Sequence, residues 1–178
     1  GISEMVIPEQ ITELGAYAFY SCKNLTKVVL PDTLEKIGYV AFAKCTALTE
    51  INIPKFWKEC PSSDSNGTIN ANYCGAIFQG CSKLTEVTVP DGVTEIPSYG
   101  FSQCDYLVTI NLPDTINVIK NHTFYDCNRL VNISLPEDLT GEIGKSAFYG
   151  CGFTEFEVPQ KITELREYSF SSCKNLVT

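Results

Sequence analysis

Apolar residues recur along the chain in one short pattern. In Leu84-Thr85-Glu86-Val87-Thr88-Val89-Pro90 the first, fourth and sixth positions are apolar and the others before the proline are polar. The last of these positions alternate as a strand does, with Val87 and Val89 inward and Thr88 outward. Proline ends the strand because it has no N–H to give to a ladder. Pro-Asp-Gly at residue 90, and Pro-Asp-Thr at residues 31 and 113, then predict a turn. Ile96 and its equivalents Leu14, Ile37, Ile119, Ile143 and Leu165 begin a return path. The stretch through Phe101 and Cys104 is too short for a long helix and predicts a helical turn or a 3₁₀ piece.

The pattern is a true repeat. Pro8, Pro31, Pro54, Pro90, Pro113, Pro136 and Pro159 follow one another at steps of 23, 23, 36, 23, 23 and 23 residues. A Phe-x-x-Cys element keeps the same rhythm at Phe19/Cys22, Phe42/Cys45, Phe78/Cys81, Phe101/Cys104, Phe124/Cys127, Phe148/Cys151 and Phe170/Cys173. One such unit cannot bury its apolar side alone. Stacked at ~4.8 Å per strand, neighbouring units close one continuous core. The expected fold is therefore α/β but β-rich: a solenoid with a curved parallel sheet and, on its other side, short helical or 3₁₀ turns. A single domain over residues 1–178 holds about seven repeats, with a loop inserted at about 55–75 where one step is 13 residues longer.

Leu34-Glu35-Lys36-Ile37-Gly38-Tyr39-Val40-Ala41-Phe42-Ala43-Lys44-Cys45 resembles the 23-residue leucine-rich repeat of the BspA-like surface proteins. The likeness covers nearly all of the chain outside the insertion. Departures are small: Gly141 adds a residue to one unit, and Cys151-Gly152-Phe153 drops one from the next. The resemblance implies a leucine-rich-repeat solenoid on a bacterial or protist cell surface or secreted from it, often concerned with adhesion to host components. It implies no shared catalytic residues.

Composition narrows the partners. The net charge is −8 and the pI about 4.6, which opposes nucleic acid and anionic membrane surfaces, since both call for a basic patch. No apolar run approaches the roughly 18–20 residues that span a bilayer. The chain opens in repeat sequence with no signal peptide and stops as another repeat begins, so a longer parent protein is expected. Oligomeric state is left open by the pattern.

Seven of the nine cysteines occupy the repeat position and read as a ladder of small buried hydrophobes. Cys60 and Cys74 fall outside the period and bracket a polar, turn-rich stretch. A Cys60–Cys74 bridge at its base would close roughly 15 residues and stabilise by ~3 kcal/mol in the chain-entropy model. Close Cys-x₂₋₄-Cys pairs are missing, so neither a metal nor another cofactor is expected. His122 is the lone histidine and reads as a variable turn residue equivalent to Tyr17, Val40 and Tyr99, not as a general base. Phosphate-binding glycine motifs are absent, and catalysis is not expected.

Binding is the better expectation, of a protein or glycan ligand, with host-derived ones among the candidates. Outward strand positions such as Glu86, Thr88, Thr109 and Asn111 are small, polar and β-favouring, which suits both a solvated face and a recognition surface. Six strands of about five residues project only ~460 Å², against ~800 Å² per partner in a standard interface. The inserted loop can supply more: Phe56 and Trp57 stand at its root and Tyr73 at its far side, and aromatics dominate interface hot spots. A passive spacer displaying another domain is the alternative.

Overall fold

The computed structural model describes residues 2–55 and 75–177. Each repeat makes one coil of a solenoid. Its front strand carries the Leu-x-x-Val-x-Val pattern: β1 (Glu4–Val6), β3 (Lys27–Val29), β5 (Glu50–Ile51), β6 (Glu86–Thr88), β8 (Thr109–Asn111) and β10 (Asn132–Ile133). The Pro-x-x turn follows, closed by hydrogen bonds such as Leu34 N–H to Pro31 O at 3.1 Å and Ile116 N–H to Pro113 O at 3.1 Å. A second, two-residue strand comes next: β2 (Glu13–Leu14), β4 (Lys36–Ile37), β7 (Glu95–Ile96) and β9 (Val118–Ile119). The residues expected to begin the return path thus build a ladder of their own, which isolated bridges extend from Ile119 through Ile143 to Leu165.

All pairing is parallel and places equivalent repeat positions side by side, for example Val87 against Ile110 and Ile96 against Ile119. Leu25, Leu48, Leu84, Leu107 and Leu130 therefore form one buried column. The phenylalanines form another, with ring centroids 5.0–5.8 Å apart from Phe19 through Phe42, Phe78, Phe101, Phe124 and Phe148 to Phe170. The stack runs unbroken from Phe42 to Phe78, and Phe42 N–H donates to Ile77 O at 3.0 Å. The surplus residues of the long repeat therefore leave the core column intact. Phe56, Trp57, Cys60, Tyr73 and Cys74 lie outside the described residues.

Five of the seven repeat cysteines take the buried place foreseen for them, while Cys22 is exposed and Cys173 half-buried. Cys45, Cys81, Cys104, Cys127 and Cys151 are buried, and each thiol donates to the carbonyl of the phenylalanine one coil back, as in Cys127 Sγ to Phe101 O at 3.1 Å. Burial pushes the Cys45 thiol up to about 11 and holds Cys81, Cys104, Cys127 and Cys151 well above the ordinary thiol value. A thiol kept protonated and out of solvent is a poor nucleophile. Alkylation of the folded protein at pH 8, followed by peptide mass spectrometry, should modify the exposed Cys22 and spare those five until denaturant is added. Rapid native labelling of Cys104 would contradict the buried ladder. In the same experiment, nine modified thiols after unfolding without reductant would rule out the Cys60–Cys74 bridge.

The expected helical or 3₁₀ piece is corrected by the structure. Among the described residues the back of each coil is a chain of single turns, with no helix. Tyr17, Ser21, Val40, Lys44, Tyr99, Gln103, His122 and Asp126 adopt left-handed φ between 49° and 62°, which no helix accommodates. These residues break the run in four coils, Gly80, Ser146, Gly150, Tyr168 and Ser172 do so in the others, and alternate amides point at the next coil. Tyr99, Phe101 and Gln103 donate to Asn121 O, Thr123 O and Tyr125 O at 3.0, 2.9 and 2.7 Å, while Gly100, Ser102 and Cys104 close local turns onto the residue three back. Periodicity alone cannot tell such a ladder from a helical turn.

Among the described residues the front sheet is not continuous. Its strands form the orders β1-β3-β5 and β10-β8-β6, and among the described residues no strand pairs beyond β10. The second break has a local cause. Cys127-Asn128-Arg129-Leu130 spaces cysteine and leucine by three residues, but Cys151-Gly152-Phe153 brings a larger apolar residue one position early. Gly152 N–H then donates to Leu130 O at 3.0 Å, with the acceptor one position and the donor two positions before those of the usual tie, seen at Val108 N–H to Thr85 O at 2.8 Å. Phe156 turns inward, 5.2 Å from Phe148 and 4.6 Å from Phe170 between centroids. No strand forms over residues 154–158, although Thr154 O still accepts from Val177 N–H of the coil after it at 3.0 Å.

Candidate functional site

The pairing of β6 with β8 sets Glu86 opposite Thr109 and Thr88 opposite Asn111 on the solvent side of the front sheet. Their side chains meet there. Asn111 Nδ2 donates to Glu86 Oε1 at 2.9 Å and to Thr88 Oγ1 at 3.2 Å, and Asn132 Nδ2 donates to Thr109 Oγ1 at 3.3 Å. The four sequence-selected residues of the described sheet face therefore form one patch. It presents carboxylate, hydroxyl and amide groups on a rigid base, because Val87 and Ile110 behind them are 1% exposed. Such a surface can exchange hydrogen bonds with a polar ligand. The equivalent Asn52 behaves differently: it clamps Leu30, accepting from its N–H at 2.7 Å and donating to its carbonyl at 2.8 Å.

Beside this patch the break after β10 opens a groove of ≈ 1170 Å³. Its floor and walls include Ile133, Leu135, Phe153 and Phe156, and Glu155 and Glu157 stand on its rim. Core columns that are closed elsewhere are uncovered here. Val158 is 37% exposed, whereas its equivalents Leu30 and Val89 are 2% and 3% exposed. Sequence reasoning did not find the groove. The signal was present in the shortened Cys151-Gly152-Phe153 spacer, but what the lost residue does to strand pairing is visible only in three dimensions.

His122 sits where the repeat register puts it, at a left-handed turn position shared with Tyr17, Val40 and Tyr99. Its ring stacks on Tyr99 at 4.6 Å and 14°. Burial, and then the charge of Lys145, hold its pKa below the ordinary 6.5. The folded state thus binds a proton less readily than the unfolded chain. Stability present above about pH 6.5 is expected to fall as pH drops through the folded value. Denaturant midpoints measured between pH 7 and 5 should decline less in His122→Gln than in the unaltered chain; equal slopes would assign the decline to other groups.

Comparisons with known proteins follow the geometry. The BspA type leucine-rich repeat region matches residues 1–74 and 65–177, in 6 copies. A leucine-rich cell surface protein from Faecalibacterium prausnitzii is 27% identical with a TM-score of 0.55, the match covering 99% of this chain and 38% of that one. A T. pallidum leucine-rich repeat protein is 26% identical with a TM-score of 0.59, covering 98% and 67%. A leucine-rich repeat protein from Eubacterium ventriosum shares the fold at a TM-score of 0.63 and 21% identity, over 92% and 46%. Thus the chain spans well under half the length of the first of these. No curated protein matches it. Among the described residues no helix is long and apolar enough to cross a membrane. Coil geometry, the Phe and Cys ladders and the repeat match agree: the chain belongs to the BspA-type leucine-rich repeat family.

Proposed function

We propose that the chain is a non-catalytic binding module of an extracellular or cell-surface protein, recognising a protein or glycan through its front sheet. The observation behind this reading is the patch of Glu86, Thr88, Thr109 and Asn111, in which exposed Asn111 ties exposed Glu86 and Thr88 across β6 and β8 and half-buried Thr109 meets Asn132 beside them. Surface polar groups held on a rigid, repeat-built base lose little freedom when a ligand engages them. The cell-surface description of the F. prausnitzii protein supports the location. The insertion at about 55–75, with Phe56, Trp57 and Tyr73, enlarges the surface in this reading.

The test is a binding screen over host matrix proteins and glycans with three proteins: the unaltered chain, Asn111→Ala, and a version with residues 58–73 replaced by a short turn. Far-UV circular dichroism confirms folding of each. A ligand weakened by Asn111→Ala assigns recognition to the sheet patch. One lost only on shortening the insertion assigns it to the loop. Binding of nothing by any of the three supports the passive spacer.

A further inference from the structure

We propose that the groove after β10 receives an extended segment of a partner protein, in which lysine or arginine alternates with small apolar residues, and that this segment adds a strand to the front sheet. The inference rests on the reading of the chain as a binding module and names a second site and its ligand chemistry.

Main-chain groups come first. In the intact part of the sheet, residues such as Val89 donate to the next coil, at 2.9 Å to Asn111 O, and Val108 O accepts from Asn132 N–H at 3.1 Å. The same alternation aims Val131 C=O, Ile133 N–H and C=O, and Leu135 N–H at the coil that follows. Among the described residues none of these bonds to residues 154–158. An open strand edge of this kind is a template for an added strand. Meanwhile the bridges from Ile119 through Ile143 to Leu165 keep the two coils joined along the opposite ladder, so the opening is confined to the front.

Side chains then select the sequence. Alternate residues of an added strand face opposite ways. One set meets Ile133, Leu135 and Phe156, which line the groove. The other set meets Glu155, Glu157 and, at the turn, Glu137. Lys161, the basic residue of the lining, is taken up by an ion pair with Asp138. Glu137, Glu155 and Glu157 form no ion pair among the described residues. A basic face on the incoming strand supplies their counter-charge. The space of ≈ 1170 Å³ exceeds the ~300–1,000 Å³ of ordinary small-ligand sites.

The experiment uses the full chain and a capped heptapeptide of alternating lysines and valines, with an all-lysine heptapeptide as control. Titration calorimetry should show saturable binding of the alternating peptide and at least about tenfold weaker binding of the all-lysine one. Glu155→Lys/Glu157→Lys, two exposed changes outside the core, should weaken the alternating peptide by about tenfold or more through like-charge contact. Hydrogen exchange should show new protection at Ile133 and Leu135. Equal binding of both peptides, no binding of the alternating one, or protection elsewhere overturns the proposal. Such a failure alongside an Asn111-dependent hit in the ligand screen would leave the sheet patch as a binding surface and remove only the groove.

Discussion

Replacing Phe101 with alanine is expected to lower the unfolding free energy by about 3–5 kcal/mol, the usual range for a buried phenylalanine. The ring is 0% exposed and stacks on Phe78 at 5.5 Å and Phe124 at 5.7 Å. Deleting it removes transfer energy, both ring contacts and the filling of a site that the neighbouring coils cannot easily collapse into. Their backbones are tied by Phe101 N–H to Thr123 O at 2.9 Å and Phe78 N–H to Gly100 O at 3.0 Å. Coils of a solenoid are stabilised by nearest neighbours, so an interior gap weakens two interfaces at once. Phe19→Ala is the internal comparison. Phe19 is only partly buried and meets one other member of the stack, Phe42, at 5.0 Å. Urea unfolding followed by circular dichroism should place Phe101→Ala well below Phe19→Ala. Equal losses would mean that the stack does not couple one coil to the next.

Much of this architecture was legible in the chain because its signals are repeated. Phe-x-x-Cys and the proline step set the coil length, and the alternation of Val87, Thr88 and Val89 set which side of the strand faces inward. Two features resisted reading. The left-handed residues on the back include Tyr17, Tyr99, Gln103 and Ser146, types with no shared preference for positive φ, held there by hydrogen bonds to the next coil. The second strand is only two residues long, and Glu95-Ile96 has no propensity strong enough to announce it. For the site, the register that joins Glu86, Thr88, Thr109 and Asn111 follows from the period. The groove does not, because it arises from the bulk of Phe153 and Phe156 acting on a spacer one residue short.

Gly38→Val is expected to destabilise by ~3 kcal/mol, at the upper end of ordinary overpacking, while Gly15→Val at the equivalent position stays within about 0.5 kcal/mol of the unaltered chain, as surface changes do. The two glycines share the place after Leu14 and Ile37 in the second ladder. A Cβ on Gly38 would stand 2.3 Å from the Ala16 backbone nitrogen and 2.6 Å from the Gly15 carbonyl carbon, whereas one on Gly15 meets nothing within 4 Å. These atoms are all backbone of the Gly15–Ala16 segment, with no flexible tip to move aside, so the coil of Gly38 must lift from the coil of Gly15. That lift strains the bond from Gly38 N–H to Leu14 O at 2.8 Å and the bond from Tyr17 N–H to Tyr39 O at 3.0 Å. Lys120 and Arg166 occupy the same repeat position, so the close approach at Gly38 belongs to this coil and not to that position in every coil. Thermal or urea unfolding of the two valine variants measures how stiff the coil spacing is. Equal, small losses would show that the coils slide apart freely, and the groove after β10 would then be one instance of a general looseness and not the local effect of Cys151-Gly152-Phe153.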